Sequence, residues 1–193
     1  MNFITVSFDE HVQFDRSKML AVVHYVCAKV PVEELGRVKL HKILYFADML
    51  HYAATGRPLT GVDYQKQPFG PAARNLKWAI QTLEKEGLLE VSRRDYFGFP
   101  KDDFISKRPP DPESLTERER ALLQDVMDFV RLRAAREISE LSHNDAWAAV
   151  KMGERIPYYS AFSLYPVQLD EADIEWGEAE ARRIVAQRRD HGG

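Results

Sequence analysis

The stretch Lys39-Leu40-His41-Lys42-Ile43-Leu44-Tyr45-Phe46-Ala47-Asp48, carried on to Gly70-Pro71, decides the reading of this chain. Residues 39 to 55 contain no Gly or Pro, and Leu40, Ile43, Leu44, Ala47, Leu50 and Ala54 recur at helical spacing. Tyr45, Phe46, Met49 and Ala53 widen the apolar stripe over most of the circumference, which describes a helix packed on several sides. At about 100° per residue, His41, Asp48, Tyr52 and Thr55 fall in one narrow polar strip with Tyr45 beside it. Gly56 stops the helix where a left-handed cap is expected.

Working outward, Asp15 predicts the cap of a helix over 16–30, with Leu20, Val23, Cys27 and Val30 inward and Pro31 ending it. The motif helix follows over 37–55. Val62, Tyr64 and Lys66 alternate with Asp63 and Gln65, the pattern of a short strand. Pro71 suits the first turn of a helix over 71–86 that buries Ala72, Leu76, Ala79, Ile80 and Leu83 and ends at Gly87. Leu88 to Val91 and Tyr96 to Phe99 read as two strands joined by Ser92-Arg93-Arg94-Asp95. Thr116 with Glu119 forms a capping box for a helix over 117–133, a short helix follows over 134–141, and Ser142 to Asp145 has the same capping form before Trp147. A last helix is predicted over 171–188. The fold class expected is α+β, predominantly helical, a single domain with a small antiparallel sheet.

The 193 residues are 45% hydrophobic and 30% charged, the composition of a soluble globular domain. A chain of this length buries roughly 70% of its unfolded surface, so no disulfide or metal staple is required. The 27 basic and 30 acidic residues leave a net charge of −3, which argues against the phosphate neutralisation that non-specific nucleic-acid binding needs. Cys27 stands alone, so no intrachain disulfide forms, and its neighbours make it a small buried hydrophobe. No charged segment leads into an apolar one at the N-terminus, and no run approaches about 18 apolar residues. The expectation is a cytoplasmic protein with no membrane partner.

The run Lys39 to Ala47, then Thr55-Gly56-x-Pro58-Leu59 and Phe69-Gly70-Pro71, resembles the Panacea domain family, the SocA-like antitoxins. A further match lies at Glu140-Leu141-Ser142-His143 and Ala146-Trp147. The resemblance spans roughly residues 15 to 165, leaving 1–14 as an N-terminal arm or strand and 166–193 as a helical extension packed on the domain. It marks Lys39, Leu40, Leu44, Phe46, Ala47, Gly56, Pro58, Gly70, Pro71, His143 and Trp147 as motif positions. It implies an antitoxin of a bacterial or phage toxin–antitoxin system that binds a toxin encoded beside it stoichiometrically, without catalysis. The toxin's identity is not implied, because the domain serves many unrelated toxins in that family.

The residues themselves nominate little chemistry. His41, Asp48 and His51 share one side of a helix, but a metal site wants converging ligands with support from a second segment, and no HExxH or Cys pair is present. No metal, nucleotide or covalent cofactor is expected. His143 lacks a nucleophile or second base at recognisable spacing and reads as part of a helix cap. Gly70-Pro71 reads as a rigid turn, since no Gly-rich phosphate loop accompanies it. A winged-helix DNA binder is the alternative: a helix carrying Arg74, Lys77, Gln81 and Lys85, then a strand turn with Arg93 and Arg94. Glu84, Glu86 and the acidic total oppose it. A small hydrolase has no motif behind it. For a protein partner, Tyr45, Asp48, Tyr52, Tyr64 and Phe69 are the expected contacts, because tyrosines anchor interfaces while keeping a hydroxyl paired.

Overall fold

Helix α2, Arg37–Thr55, is the axle of the molecule: residues 42–49 are all buried, and three other helices, one strand and a 3₁₀ segment pack against it. The computed structural model describes residues 12–96 and 98–164, with Glu175, Gly177, Ala179, Arg182 and Arg183 beyond them. Helix α1, Arg16–Lys29, precedes α2 and is capped by the Asp15 carboxylate, which accepts from Lys18 N at 2.9 Å. It buries Met19, Val22, Val23, Val26 and Cys27, whose thiol burial pushes up to about 12. Gly56 closes α2 at φ 72°, the left-handed conformation glycine adopts without strain.

Strands β1, Tyr64–Gln67, and β2, Gly70–Ala73, form a tight hairpin around Pro68-Phe69, with Gln67 opposite Gly70 and Tyr64 opposite Ala73. β5, Arg155–Ile156, pairs on the other edge of β1, giving the antiparallel order β2-β1-β5. Helix α3, Leu76–Lys85, leads to a second hairpin, β3, Leu89–Tyr96, and β4, Phe99–Ser106. Helix α4, Glu117–Arg131, opens on the full Thr116/Glu119 capping box and packs along α2, where Phe129 meets Phe46 edge-on at 5.9 Å. Helices α5, Ala135–Leu141, and α6, Asp145–Ala148, follow, and a 3₁₀ segment Tyr158–Leu164 returns to α2. This is the α+β fold expected, with small antiparallel sheets at the side of a helical core.

Three local expectations are corrected. Residues 70–73 are strand, and α3 starts only at Leu76. Pro71 therefore sits in an edge strand, where a missing N–H costs no ladder bond, and pairing with β1 overrides the helical start. The second hairpin turns at Gly98, φ 83°, with Asp95 Oδ1 accepting from Gly98 N, and not at Ser92–Asp95. The polar run misled because that stretch of the hairpin stands in solvent: Ser92, Arg93, Arg94 and Asp95 are exposed, while Leu89 and Phe104 near its base are in the core. The cap of α6 is Asn144, not Ser142. The expected strand in 1–14 lies mostly outside the described residues. Of the helix expected over 171–188, the five described positions are helical and exposed.

Candidate functional site

Two polar groups enter the apolar interior from α2, and each fastens a different part of the chain. Asp48 is fully buried. Its carboxylate accepts from Thr60 N at 2.7 Å, the Thr60 hydroxyl at 2.5 Å and the Tyr64 hydroxyl at 2.7 Å. Desolvation lifts the Asp48 carboxyl above its usual range, against the opposing pull of these bonds. Tyr64 and Tyr158 are both pushed well up, first by burial and then by the Asp48 charge. Tyr158 donates to Val62 O at 2.9 Å, so the loop 59–63 is closed on both sides.

Lys42 is the second group, 2% exposed, with its ammonium donating to Pro71 O at 2.8 Å. Burial alone pulls its pKa down to about 7. Next to it, His41 Nδ1 accepts from Ala73 N at 3.0 Å, so Nε2 carries the ring proton. Its pKa falls to about 3, through burial and then the charges of Lys42 and Arg37.

The β1–β2 turn is clamped from the other side by α5 and α6. Ser139 Oγ donates to Phe69 O at 2.8 Å, and Trp147 Nε1 donates to Gln67 O at 3.2 Å. Ser142, fully buried, donates to Ser139 O at 2.7 Å. Gly70 has φ 89°, and a Cβ there would collide with Ser142 Oγ and come within 2.7 Å of Lys42 Nζ. Glycine is required at this point by close approach as well as by conformation. His143 stacks on Trp147 at 4.1 Å between ring centroids, and Lys66 Nζ covers that indole at 3.9 Å. His143 Nε2 is buried with no hydrogen-bond partner, and its pKa is lowered by burial and then by Lys42.

The motif positions that lie far apart in sequence thus converge: Lys42 from the first block, Phe69-Gly70-Pro71 from the second, Ser142, His143 and Trp147 from the third. Lys39 reaches Arg131 O at 2.9 Å and ties α2 to α4, while Leu40, Leu44, Phe46 and Ala47 are core. Pro58 flanks the loop that Asp48 holds. The five residues expected to meet a partner separate into two groups. Tyr45, Asp48 and Tyr64 are fully buried, which places them beneath the surface; their polarity serves internal bonds, Tyr45 accepting from Asn144 Nδ2 at 3.3 Å. Phe69 is 70% exposed at the hairpin tip, and Tyr52 is half-buried beside Tyr158 and Phe162.

His41, Asp48 and His51 do not converge. They bond Ala73 N, the Thr60–Tyr64 segment and Arg57 O respectively. No group of three or more His, Cys, Asp or Glu able to hold a metal occurs among the described residues. The basic residues of the alternative reading are partly engaged: Arg94 pairs with Asp103 at 2.6 Å, and Arg93 lies 3.5 Å from Asp102. No helix among the described residues is long and apolar enough to cross a membrane.

Sequence reasoning missed Lys42 as a site residue. The signal was present in part: of its neighbours three, four and seven places along the helix, Val38, Tyr45, Phe46 and Met49 are apolar and Lys39 is charged.

Fold and site together define a small α+β scaffold domain whose motif residues lock one hairpin onto one buried helix. The chain belongs to the family described as antitoxin SocA-like, Panacea domain, whose model matches residues 40–148, more than half of its length. No curated protein and no solved structure matches it.

Proposed function

We propose that this chain is an antitoxin-like protein that neutralises a cognate toxin, encoded next to it, by direct stoichiometric binding and without catalysis, in the cytoplasm. The family match over residues 40–148 carries the reading. The site's geometry is consistent with it. Clamps from Lys42, Ser139 and Trp147 hold the Gln67–Pro71 turn, so Phe69 stands out from a pre-ordered frame. An aromatic side chain on a rigid turn loses little conformational entropy on docking, which is what an interface anchor needs. Tyr52, with the exposed Phe162 at 6.1 Å between ring centroids, supplies a second aromatic area. Tyr45, Asp48 and Tyr64 support these surfaces from below.

The test is a pull-down and a growth-rescue assay with the product of the neighbouring reading frame. Stoichiometric capture, with rescue of cells expressing that product, is the expected result. A folded wild-type protein that captures no neighbour and rescues nothing overturns the reading.

A further inference from the structure

Among the described residues β3 and β4 pair only with each other, so each keeps one edge with no further strand. The register decides which groups those edges present. The pair flanking a two-residue turn, here Tyr96 and Phe99, is a hydrogen-bonded one. At the other end Lys107 N donates to Leu88 O at 2.9 Å. Alternation between these ends commits Glu90, Ser92 and Arg94 to β4 and turns the N–H and C=O of Val91, Arg93 and Asp95 outward. Val91 N accordingly donates outside the hairpin, to Glu84 Oε1 at 3.3 Å. No bond among the described residues reaches the N–H or C=O of Arg93 or Asp95, and residues 92–95 are all exposed. The edge of β4 differs: Pro100 removes one of its outward donors, and α1 packs against the strand.

We propose that the open edge of β3 pairs with the same edge of a second copy of this chain, antiparallel about a twofold axis at Ser92. An unpaired strand edge is a template for another strand, and two identical edges can satisfy each other. Because Val91, Arg93 and Asp95 must bond among themselves, the axis falls on a residue, and each choice fixes every opposite pair. An axis at Glu90, Arg93, Arg94 or Asp95 sets that charge directly against its own copy, which destabilises. An axis at Val91 puts Glu90 opposite Ser92 and forms no ion pair. With the axis at Ser92, Glu90 lies opposite Arg94 on both sides of it, and Val91 and Arg93 become hydrogen-bonded pairs. Arg94 already pairs with Asp103 at 2.6 Å, but a guanidinium has five donors and need not leave it. Glu90 pairs with Lys107 at 2.7 Å in an exposed contact that costs little to share. The surface lies apart from the Phe69 turn, so the inference stands or falls separately from the toxin reading.

The experiment is sedimentation equilibrium of the full chain, beside Arg94→Glu, the double exchange Glu90→Arg/Arg94→Glu, and Arg93→Pro, with circular dichroism to show that each is folded. The wild type is expected to be a concentration-dependent dimer. Arg94→Glu sets glutamate against Glu90 on both sides of the axis and should weaken the dimer about tenfold or more. The double exchange restores opposite charges across the axis and should recover it. Arg93→Pro deletes an outward N–H while sparing the bonds to β4, and should leave a monomer. Amide exchange of the wild type gives an arm that needs no variant: the Arg93 N–H should be protected at concentrations where the dimer forms and not below them. A wild type that stays monomeric overturns the proposal, and so does an Arg93 N–H that exchanges equally fast in monomer and dimer. A dimer of unchanged strength in folded Arg94→Glu and Arg93→Pro does the same, as does a double exchange that recovers nothing. A monomeric wild type that captures the neighbouring gene product, where Arg93→Pro does not, gives the edge to a partner's strand and excludes the second copy.

Discussion

The Tyr64 hydroxyl donates to Asp48 across 2.7 Å in a fully dry interior, fastening β1 to α2 through a carboxylate that burial lifts above its usual pKa. Tyr64→Phe removes this donor and leaves the ring packing in place. The expected loss is about 1–3 kcal/mol, the cost of an acceptor left short of a partner. The sign of the pH dependence follows from linkage. Asp48 takes up protons on folding over the window from 3.8 up to its raised native value, so its contribution to stability falls as pH rises through that window and is level above it. Losing the Tyr64 donor raises the native pKa further and widens the window upward. Denaturant titrations at several pH values check both statements; a variant with wild-type stability at every pH contradicts them.

Lys42 gives the opposite sign. Its folded pKa, about 7, lies below the unfolded value of 10.5, so the native state holds fewer protons between the two and stability rises with pH through that range. Lys42→Met removes the penalty along with the bond to Pro71. The variant is expected to equal or exceed the wild type in stability at neutral pH, with its margin shrinking by several kcal/mol (roughly) towards pH 10. A margin that stays constant with pH shows that Lys42 is not desolvated as described.

The glycines separate conformation from contact. Gly56 and Gly70 both have positive φ, 72° and 89°, but a Cβ on Gly56 meets nothing within 4 Å. Gly56→Ala should cost about 1 kcal/mol from backbone strain alone. Gly70→Ala adds collisions with Ser142 and Lys42 and should cost distinctly more, read as a lower midpoint at unchanged denaturant dependence. Equal losses at the two sites exclude the close packing of the turn.

How far the sequence could be read follows the range of the interactions involved. The ends of α1, α2, α4 and α5 fall within two residues of their expected positions, because Asp15, Gly56 and the Thr116/Glu119 box act within one turn of the chain. The start of α3 was misplaced because Pro71 fits a helix start and an edge strand equally well. What decides between them is β1, which lies beyond a turn. The convergence of Lys42, Gly70 and Ser142 was not legible, since the residues are brought together only by tertiary packing across most of the domain. The buried Tyr45, Asp48 and Tyr64 have the residue types of an interface, and composition cannot tell a hydroxyl paired inside from one waiting outside.

Leu44→Ala and Phe46→Ala test the centre of the fold. Leu44 is 1% and Phe46 9% exposed, both on the part of α2 that carries the core. Each should lose about 2–5 kcal/mol, and loss of any partner binding would then be secondary to unfolding. Melting within error of wild type would show the burial to be wrong.

Phe69→Ala is the counterpart on the surface. The side chain is 70% exposed, so truncation leaves no cavity, and the turn keeps its clamps because they engage backbone carbonyls at Gln67, Phe69 and Pro71. The melting temperature should stay close to wild type. If Phe69 anchors the toxin, affinity should fall by about 2 kcal/mol or more, roughly thirtyfold, and growth rescue should weaken in parallel. Tyr64→Ala is the informative contrast: it strips a donor from Asp48 and should fail by losing stability, whatever its effect on binding. Calorimetric titration of the neighbouring gene product with both variants, beside their melting curves, separates the two routes. A folded Phe69→Ala protein that binds and rescues like wild type removes the hairpin tip from the interface.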